Sequence, residues 1–190
     1  GKEKKVFFSN IEDSLSILNS DILKLSEGIN KELIVLSKDG LSIFDSSSFS
    51  FSQIPLESEP KGVLLNPTNK TYWVFTRQSG IYVLDNALKT TNHFEFDPLN
   101  PLSISTSKFE QFSGSEILFD EKSGKTIIAT KNGLNVYDEN LNAFKRFFKG
   151  NKTTFTTNNI IAILPREDNK IGVITQNEYV DFYPEENRFE

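Results

Sequence analysis

The stretch "DEKSGKTIIATKNGLNVYDENLNAFKRFF", residues 120–148, decides the fold. Its apolar runs are short and are separated by Gly, Asn, Asp and Ser, a pattern typical of antiparallel strands joined by tight turns. Together with the run just before it, the stretch predicts four strands, namely Glu116–Phe119, Thr126–Thr130, Leu134–Tyr137 and Ala143–Phe148.

The centre of this stretch, Gly124-Lys125-Thr126, matches the end of a phosphate-binding loop. The complete motif requires an earlier Gly where this chain has Phe119, and it requires a helix after the Thr. The residues that follow, Thr126–Thr130, favour a strand instead. The sequence therefore predicts a hairpin turn here and not a nucleotide site.

The pattern recurs along the chain. A Ser or Thr closes a short apolar run just before a turn at Ser37, Thr76, Thr130 and Thr175. These anchor residues are about 40 to 55 residues apart, which is typical of propellers and other repeat proteins. The four segments that contain them are "LIVLSKDGLSIFD", "YWVFTRQSGIYVLD", "TIIATKNGLNVYD" and "IGVITQNEYVDFY".

The repeats predict an all-β fold, a β-propeller of about four four-stranded antiparallel blades. We expect a single domain over residues 1–190, with blades at about 15–53, 62–96, 115–148 and 159–190. The second strand of each unit is apolar on both faces, so it must be covered on both sides. The third strands alternate more, which favours a position further from the axis. The ring is either partial or a small closed propeller.

Composition excludes several classes of protein. The chain has no Cys, which excludes a disulfide framework and Cys-ligated metal sites. Its net charge of -5 argues against nucleic-acid binding, which depends on many cations meeting phosphates. No apolar run approaches the roughly 20 residues that span a bilayer.

Few residues suggest catalysis or a cofactor. His93 is the only histidine, and a metal site would need further ligands. Trp73 could stack on a sugar ring, but its position within a strand favours a buried residue. Acidic pairs such as Glu185-Glu186 are interpreted as solvated turns, because a glycosidase requires two carboxylates placed across a bond. We therefore expect neither a cofactor nor an enzyme.

The turn after each second strand is the predicted ligand site. If the blades stack radially, these turns gather on one rim near the axis and present amide and cationic donors to a polar ligand such as an oligosaccharide. The alternative is that they are only hydrophilic turns. The candidate residues are Lys38, Arg77, Gln78, Lys131, Asn132, Gln176 and Asn177.

Three segments carry a resemblance to a known family. "FDPLNPLSIS" at Phe96, "YWVFTRQSGIYVLD" at Tyr72 and the segment that begins at Asp120 resemble the two-component regulator propeller repeats of periplasmic sensor regions in hybrid two-component proteins. The chain departs from that pattern, since the Trp of the repeat remains only at Trp73. Other residues replace the Gly before the anchor in all four units and the turn Gly of the fourth, namely Leu36, Phe75, Ala129, Ile174 and Glu178.

The resemblance implies a non-catalytic sensing module in the periplasm or at the cell surface. It also implies a carbohydrate-like ligand and a histidine kinase in the same polypeptide or complex. Four units cannot close the larger rings of that family, and Val6–Phe8 resembles the outer strand of a missing blade.

We therefore expect a fragment of a larger sensor, or a propeller completed by self-association through apolar faces at its two open ends. The alternatives are an interaction scaffold without a small ligand and an enzyme such as a lyase or glycosidase.

Overall fold

The computed structural model describes residues 4–150 and 155–190, and these ranges form four four-stranded antiparallel sheets, which confirms the all-β class. In every sheet the strands are adjacent in the order of the sequence, as in propeller blades. Blade 1 contains β1 (Ile22–Glu27), β2 (Leu33–Ser37), β3 (Gly40–Asp45) and β4 (Ser50–Pro55); blade 2 contains β5 (Pro60–Leu65), β6 (Tyr72–Thr76), β7 (Ile81–Leu84) and β8 (Thr90–Phe94); blade 3 contains β9 (Ile117–Asp120), β10 (Lys125–Thr130), β11 (Gly133–Asp138) and β12 (Ala143–Phe147); blade 4 contains β13 (Ile160–Pro165), β14 (Ile171–Thr175), β15 (Tyr179–Tyr183) and β16 (Arg188–Phe189).

Burial corrects one expectation about the third strands. In blades 2 and 3 they are as buried as the second strands, so the predicted alternation is wrong there. The reason is visible at Asn135, whose side chain is buried because the connecting segment before blade 3 covers it with Ser105. Only β15 alternates between buried and more exposed residues.

The anchor residues are buried and hold the turn that follows them. Each anchor hydroxyl donates a hydrogen bond to a carbonyl oxygen of its own turn, and this bonding explains why Ser or Thr stands there. The four pairs are Ser37 with Gly40 at 3.3 Å, Thr76 with Gly80 at 2.9 Å, Thr130 with Gly133 at 2.8 Å and Thr175 with Glu178 at 3.4 Å.

The segments that lead into the blades also repeat. The backbone N–H of Asn10 donates to Ser16 Oγ at 3.0 Å, and that of Asp97 donates to Ser103 Oγ at 3.0 Å. In both segments the residue directly after this Ser is a buried Ile, namely Ile17 or Ile104. The segment that joins blades 2 and 3 therefore contributes to the hydrophobic core through Ile104.

The hydrophobic core is divided among the blade interfaces. One cluster joins blades 1 and 2, a second joins blades 2 and 3, and a third joins blades 3 and 4. Within residues 4–150 and 155–190, no cluster joins blade 4 to blade 1. The blades therefore pack in series.

Val6–Phe8 is not a strand, which corrects the sequence expectation. The Phe7 ring nevertheless lies 5.3 Å from the Phe44 ring and 5.3 Å from the Phe51 ring. Phe94, in the outer strand of blade 2, contacts the corresponding residues of blade 3, with Tyr137 at 4.9 Å and Phe144 at 5.0 Å. Phe7 thus fills the position that an outer-strand aromatic of a preceding blade would fill.

The rest of this face of blade 1 is uncovered. Leu25 is 57% exposed, whereas the residues at the same pairing position in blades 2, 3 and 4 are 6%, 7% and 3% exposed. Those three residues, Val63, Ile117 and Ile163, are covered by the preceding blade. Blade 1 therefore presents an apolar face to solvent.

The face of blade 4 that points away from blade 3 contains more polar residues. Gly172 and Asp181 pair there, where blade 3 has Ile127 and Val136. Tyr179 donates a hydrogen bond to Asp181 Oδ1 at 2.8 Å, and its ring lies over Gly172. The expectation of an apolar face at each end therefore holds only in part for blade 4, because Leu164, which pairs with Gly172, is 44% exposed beside the polar Asp181.

Candidate ligand-binding groove

A groove with a volume of about 410 Å³ lies at the ends of the inner strands of blades 3 and 4. Lys131 and Asn132 come from the turn after β10, and Gln176 comes from the turn after β14. The groove therefore brings together three of the residues that the sequence predicted. Gln176 is exposed, so its side-chain amide is available to a ligand.

A buried polar network fixes the base of this groove. Ser105 N–H donates to Asn135 Oδ1 at 2.8 Å, and Asn135 Nδ2 donates to Ser105 Oγ at 2.9 Å. The Ser105 hydroxyl is also 3.1 Å from the hydroxyl of Thr130, which accepts the backbone N–H of Asn132. Because every member has partners, the network holds the turn after β10 in one position.

The segment that precedes blade 3 forms one wall of the groove. Its Phe109 is buried against Phe75, with ring centroids 5.0 Å apart. The adjacent Glu110 contacts Lys131, with Nζ and Oε2 separated by 3.2 Å. These side chains are 64% and 73% exposed, so their ion pair contributes little to stability and can open for a ligand.

Positive and negative charges balance in this groove. Its lining contains two cationic residues, Lys108 and Lys131, and two anionic residues, Glu110 and Glu116. The Glu116 carboxylate is held in place because it accepts the backbone N–H of Gly114 at 2.9 Å. Donors and acceptors without a net charge suit a neutral ligand that carries hydroxyl groups.

The other four predicted residues do not line this groove. Arg77 lies in the corresponding turn of blade 2, where its Nη1 is 3.8 Å from a Glu59 carboxylate oxygen. The backbone N–H of Gln78 donates to Ser58 Oγ at 3.0 Å. Lys38 and Asn177 occupy turns too, and their backbone N–H groups bond within blades 1 and 4.

Sequence reasoning missed the wall formed by the segment before blade 3. That segment lies in the longest insertion between repeats, so no other unit provides a template for it. The apolar residues of this insertion, among them Ile104, Phe109 and Phe112, were the available signal that the segment packs against the blades.

His93 and Trp73 lie outside this groove, in strands of blade 2, where their rings pack on other aromatic rings. The His93 ring stacks on Tyr82 with centroids 3.9 Å apart, and its Nε2 lies 2.7 Å from the Ser79 carbonyl oxygen. Trp73 is buried as expected, against the rings of Phe94, Phe119 and Tyr137.

Comparisons with known proteins relate the chain to others by structure only. No protein-family profile matches the sequence, and no curated protein sequence matches it. Among solved structures, the extracellular domain assigned to the hybrid two-component system BT3049 of B. thetaiotaomicron is similar, with a TM-score of 0.68 and 16% identity. The extracellular domain assigned to the one-component system BT4673 of the same organism has a TM-score of 0.63 and 13% identity.

Each alignment covers 97% of this chain and 26% of the solved chain, so the chain spans about a quarter of the length of these structures. Within the described ranges, no helix is long and apolar enough to cross a membrane. At this level of identity the likeness shows the fold. The chain therefore has the propeller-like fold of the extracellular domains assigned to these bacterial signalling systems.

Proposed function

We propose that the chain is a non-catalytic sensing module of a two-component-type signalling protein, in the periplasm or at the cell surface, and that it binds a carbohydrate-like ligand. The four blades act as a single domain over residues 1–190. The observation that carries the proposal is the groove in which Lys131, Asn132 and Gln176 converge. The fold-level likeness to extracellular sensor domains supports the signalling role.

The chemistry of the groove favours an uncharged sugar. Sugar hydroxyls both donate and accept hydrogen bonds, so they need acceptors as well as donors. Glu110 and Glu116 provide acceptors, whereas Lys131 and the two amides provide donors. Pockets for small ligands combine such polar groups with apolar walls, and Ile160 and Phe109 contribute apolar surface here.

The position of the groove suggests how binding could be transmitted. Its residues come from the turns of blades 3 and 4 and from the segment between blades 2 and 3. A ligand that contacts all three favours one arrangement of these blades over others. The altered arrangement would then be passed to a histidine kinase in the same polypeptide or complex.

Calorimetric titration with a panel of neutral oligosaccharides, such as maltohexaose, xylohexaose and cellohexaose, tests this proposal. We expect one member to bind, and we expect Lys131→Ala, Asn132→Ala and Gln176→Ala each to weaken binding about tenfold, a change of about 1.4 kcal/mol. Arg77→Ala is the matched control, because it removes a cation from the corresponding turn of blade 2. Binding that is lost equally in Arg77→Ala, or that survives all three groove variants, would contradict the proposed site.

A second candidate function is a protein-interaction scaffold without a small ligand. The observation that favours it is the uncovered apolar face of blade 1, where Leu25 is exposed. Strong association through that face, with no binding by the oligosaccharide panel, would support the scaffold and contradict the ligand sensor.

A further inference from the structure

A second cavity, with a volume of about 370 Å³, lies beside the groove. Asn132, in the turn after β10, lines both of them. In the segment before blade 3, Ser105 lines the second cavity and the next residue, Thr106, lines the groove. Asn158 and Asn159 are divided in the same way in the segment before blade 4. The groove and the second cavity therefore meet at Asn132, and together they form a trough.

The turn after β10 is hydrogen-bonded to both of these segments. Asn132 Nδ2 donates to the carbonyl oxygen of Ser105 at 3.4 Å, and the backbone N–H of Gly133 donates to the carbonyl oxygen of Asn158 at 2.8 Å. Asn158 Oδ1 also accepts the backbone N–H of Lys149 at 2.7 Å. Because these bonds join three parts of the chain, the shape of the trough is fixed before a ligand binds, and this lowers the entropic cost of binding.

Aromatic rings line the second cavity. Phe96 is 44% exposed, and Phe148 is half-buried. A methyl group at Gly133 would lie 3.1 Å from a ring carbon of Phe148, so this ring lies against the turn that carries Asn132. Pro98 adds further apolar surface. This end of the trough is therefore mainly aromatic and apolar, whereas charged and amide side chains predominate in the groove.

The repeat itself does not require an aromatic residue at position 148. The turn Gly of a blade lies close to a carbonyl oxygen near the end of the outer strand, that of Phe94 in blade 2 and that of Phe147 in blade 3. The residue after this carbonyl is Glu95 in blade 2 and Phe148 in blade 3. Since a charged residue serves the same position in blade 2, the ring of Phe148 is a feature of this trough. Apolar surface beside a few polar groups is typical of ligand sites.

Arg146 adds hydrogen-bond donors to the aromatic end of the trough. Its guanidinium carbon lies 5.9 Å from the centroid of the Phe148 ring, within the range of a cation–π contact. The two residues are separated by one position, and in an extended chain such residues lie on the same side. A guanidinium group beside an aromatic ring can donate to the hydroxyl groups of a sugar whose C–H face lies on that ring.

We propose that the groove and the second cavity form one binding site for a linear, uncharged oligosaccharide. This inference rests on the proposed function and adds to it the length of the ligand and the residues that stack on its rings. One end of the oligosaccharide contacts Lys131 and Gln176, its middle passes over Asn132, and its other end stacks on Phe148 and Phe96. Sugar rings present apolar C–H faces as well as hydroxyl groups, and aromatic side chains suit these faces.

Calorimetric titration with oligosaccharides of two lengths tests the extent of the site. The pairs are maltohexaose with maltose, xylohexaose with xylobiose, and cellohexaose with cellobiose. We expect the hexasaccharide that binds to do so at least about tenfold more tightly than its disaccharide, because only the longer chain reaches both ends. Equal affinities within the pair would overturn this inference and would leave the sensing proposal standing.

Variants at the aromatic end locate the stacking contacts. We expect Phe148→Ala and Phe96→Ala each to weaken binding of the hexasaccharide about tenfold, and Phe148→Tyr, which keeps the ring, to weaken it less than about threefold. Phe49→Ala is the matched control, because Phe49 is 48% exposed and lies in blade 1. The inference fails if Phe49→Ala weakens binding as much as Phe148→Ala, or if neither trough variant weakens it.

Amide chemical shifts of the wild-type chain provide a test that does not depend on the folding of any variant. We expect the hexasaccharide to shift the amides of Phe96, Arg146 and Phe148 over the same concentration range as those of Lys131 and Gln176. Shifts limited to the groove would overturn the extended site but not the sensing proposal. Shifts limited to the aromatic end would overturn both sites, and so would the absence of shifts with all three hexasaccharides at millimolar concentration.

Discussion

At the scale of single residues, buried hydroxyl groups define the repeat. The hydroxyl of Thr130 donates to Gly133, accepts from the backbone of Asn132 and lies 3.1 Å from the hydroxyl of Ser105. In the fourth unit Glu178 replaces the turn Gly, and its carboxylate accepts the hydroxyl of Thr156 at 3.0 Å. One polar side chain thus ties the substituted turn to the segment before the blade.

Thr130→Ala should destabilise the fold, whereas Thr130→Ser should not. The Ala variant removes a hydrogen bond from three neighbours and leaves the buried backbone N–H of Asn132 without its acceptor, so we expect the free energy of unfolding to fall by about 1 to 3 kcal/mol. The Ser variant keeps the hydroxyl and should lose less than half of that amount. Urea denaturation measures both values, and an equal loss in the two variants would assign the effect to the methyl group instead.

Tyr72 links stability to alkaline pH. Burial, together with the neighbouring Glu32 carboxylate, raises the pKa of Tyr72 from 10.0 to about 12. Its hydroxyl donates to Glu32 Oε1 at 2.7 Å and accepts the backbone N–H of Ile29 at 2.6 Å. A raised pKa in the folded state means that the contribution of the protonated Tyr is complete below pH 10 and is lost as the pH rises toward 12.

We therefore expect the free energy of unfolding to fall between about pH 10 and pH 12, and to fall less steeply in Tyr72→Phe. Urea denaturation at pH 9, 10 and 11 measures this slope. The comparison uses slopes because Tyr72→Phe also lowers stability at neutral pH, where Glu32 and Ile29 lose a partner. Identical slopes in both proteins would contradict the assignment to Tyr72.

At the scale of elements, the segment before blade 1 takes over part of the role of an outer strand. The ring of Phe7 lies 5.3 Å from the rings of Phe44 and Phe51. These distances are close to those between Phe94 of blade 2 and the two aromatic rings that it contacts in blade 3. The same aromatic arrangement recurs between blades 3 and 4, where Phe147 contacts Phe182 and Phe189. The Phe7 ring, which is not part of a strand, thus makes the contacts that an aromatic residue of an outer strand makes at the other two interfaces.

Phe7→Ala and Phe8→Ala form a matched pair that tests this contact. Phe7 is 38% exposed and Phe8 is 70% exposed. We expect Phe7→Ala to lower the free energy of unfolding by about 1 to 2 kcal/mol, less than for a fully buried Phe. Phe8→Ala should change it by less than about 0.5 kcal/mol. Hydrogen exchange should show that residues 4–10 lose protection only in the Phe7 variant, and equal effects of the two substitutions would contradict the assigned contact.

At the scale of the whole molecule, the two ends of the blade series differ. Blade 1 presents the apolar Leu25, whereas blade 4 presents Asp181 and Tyr179. Head-to-tail pairing of copies would place these unlike faces together and would bury Asp181, at a cost in desolvation. Self-association, which remains a prediction, should therefore join blade 1 faces.

Leu25→Glu and Ile163→Glu place the same charge at the same position of the repeat. Leu25 is exposed, so we expect Leu25→Glu to leave thermal stability nearly unchanged and to reduce self-association in light scattering over a concentration series. Ile163 is buried, so Ile163→Glu should lower the free energy of unfolding by about 3 kcal/mol or more. An oligomer that is insensitive to Leu25→Glu would show that another surface joins the copies.

The repeated parts of the fold could be predicted from the sequence. The strands of blade 3 lie within one residue of their predicted bounds, because a turn residue and an apolar run mark each of them. The wall of the groove could not be predicted, since it belongs to an insertion. The position of Asp181 on the outer face of blade 4 could not be predicted, because the third strands were expected to alternate and a polar residue in such a strand gives no signal, although the corresponding residue of blade 3 is the apolar Val136.

The division of the core among successive interfaces has a mechanical consequence. Each of the three larger hydrophobic clusters belongs to one pair of adjacent blades, and stability in such a series is approximately a sum of local terms. A force applied between the two ends of the chain therefore acts on the interfaces one after another. The weakest interface sets the force of the first rupture, and the remaining pairs can stay folded while that one is open.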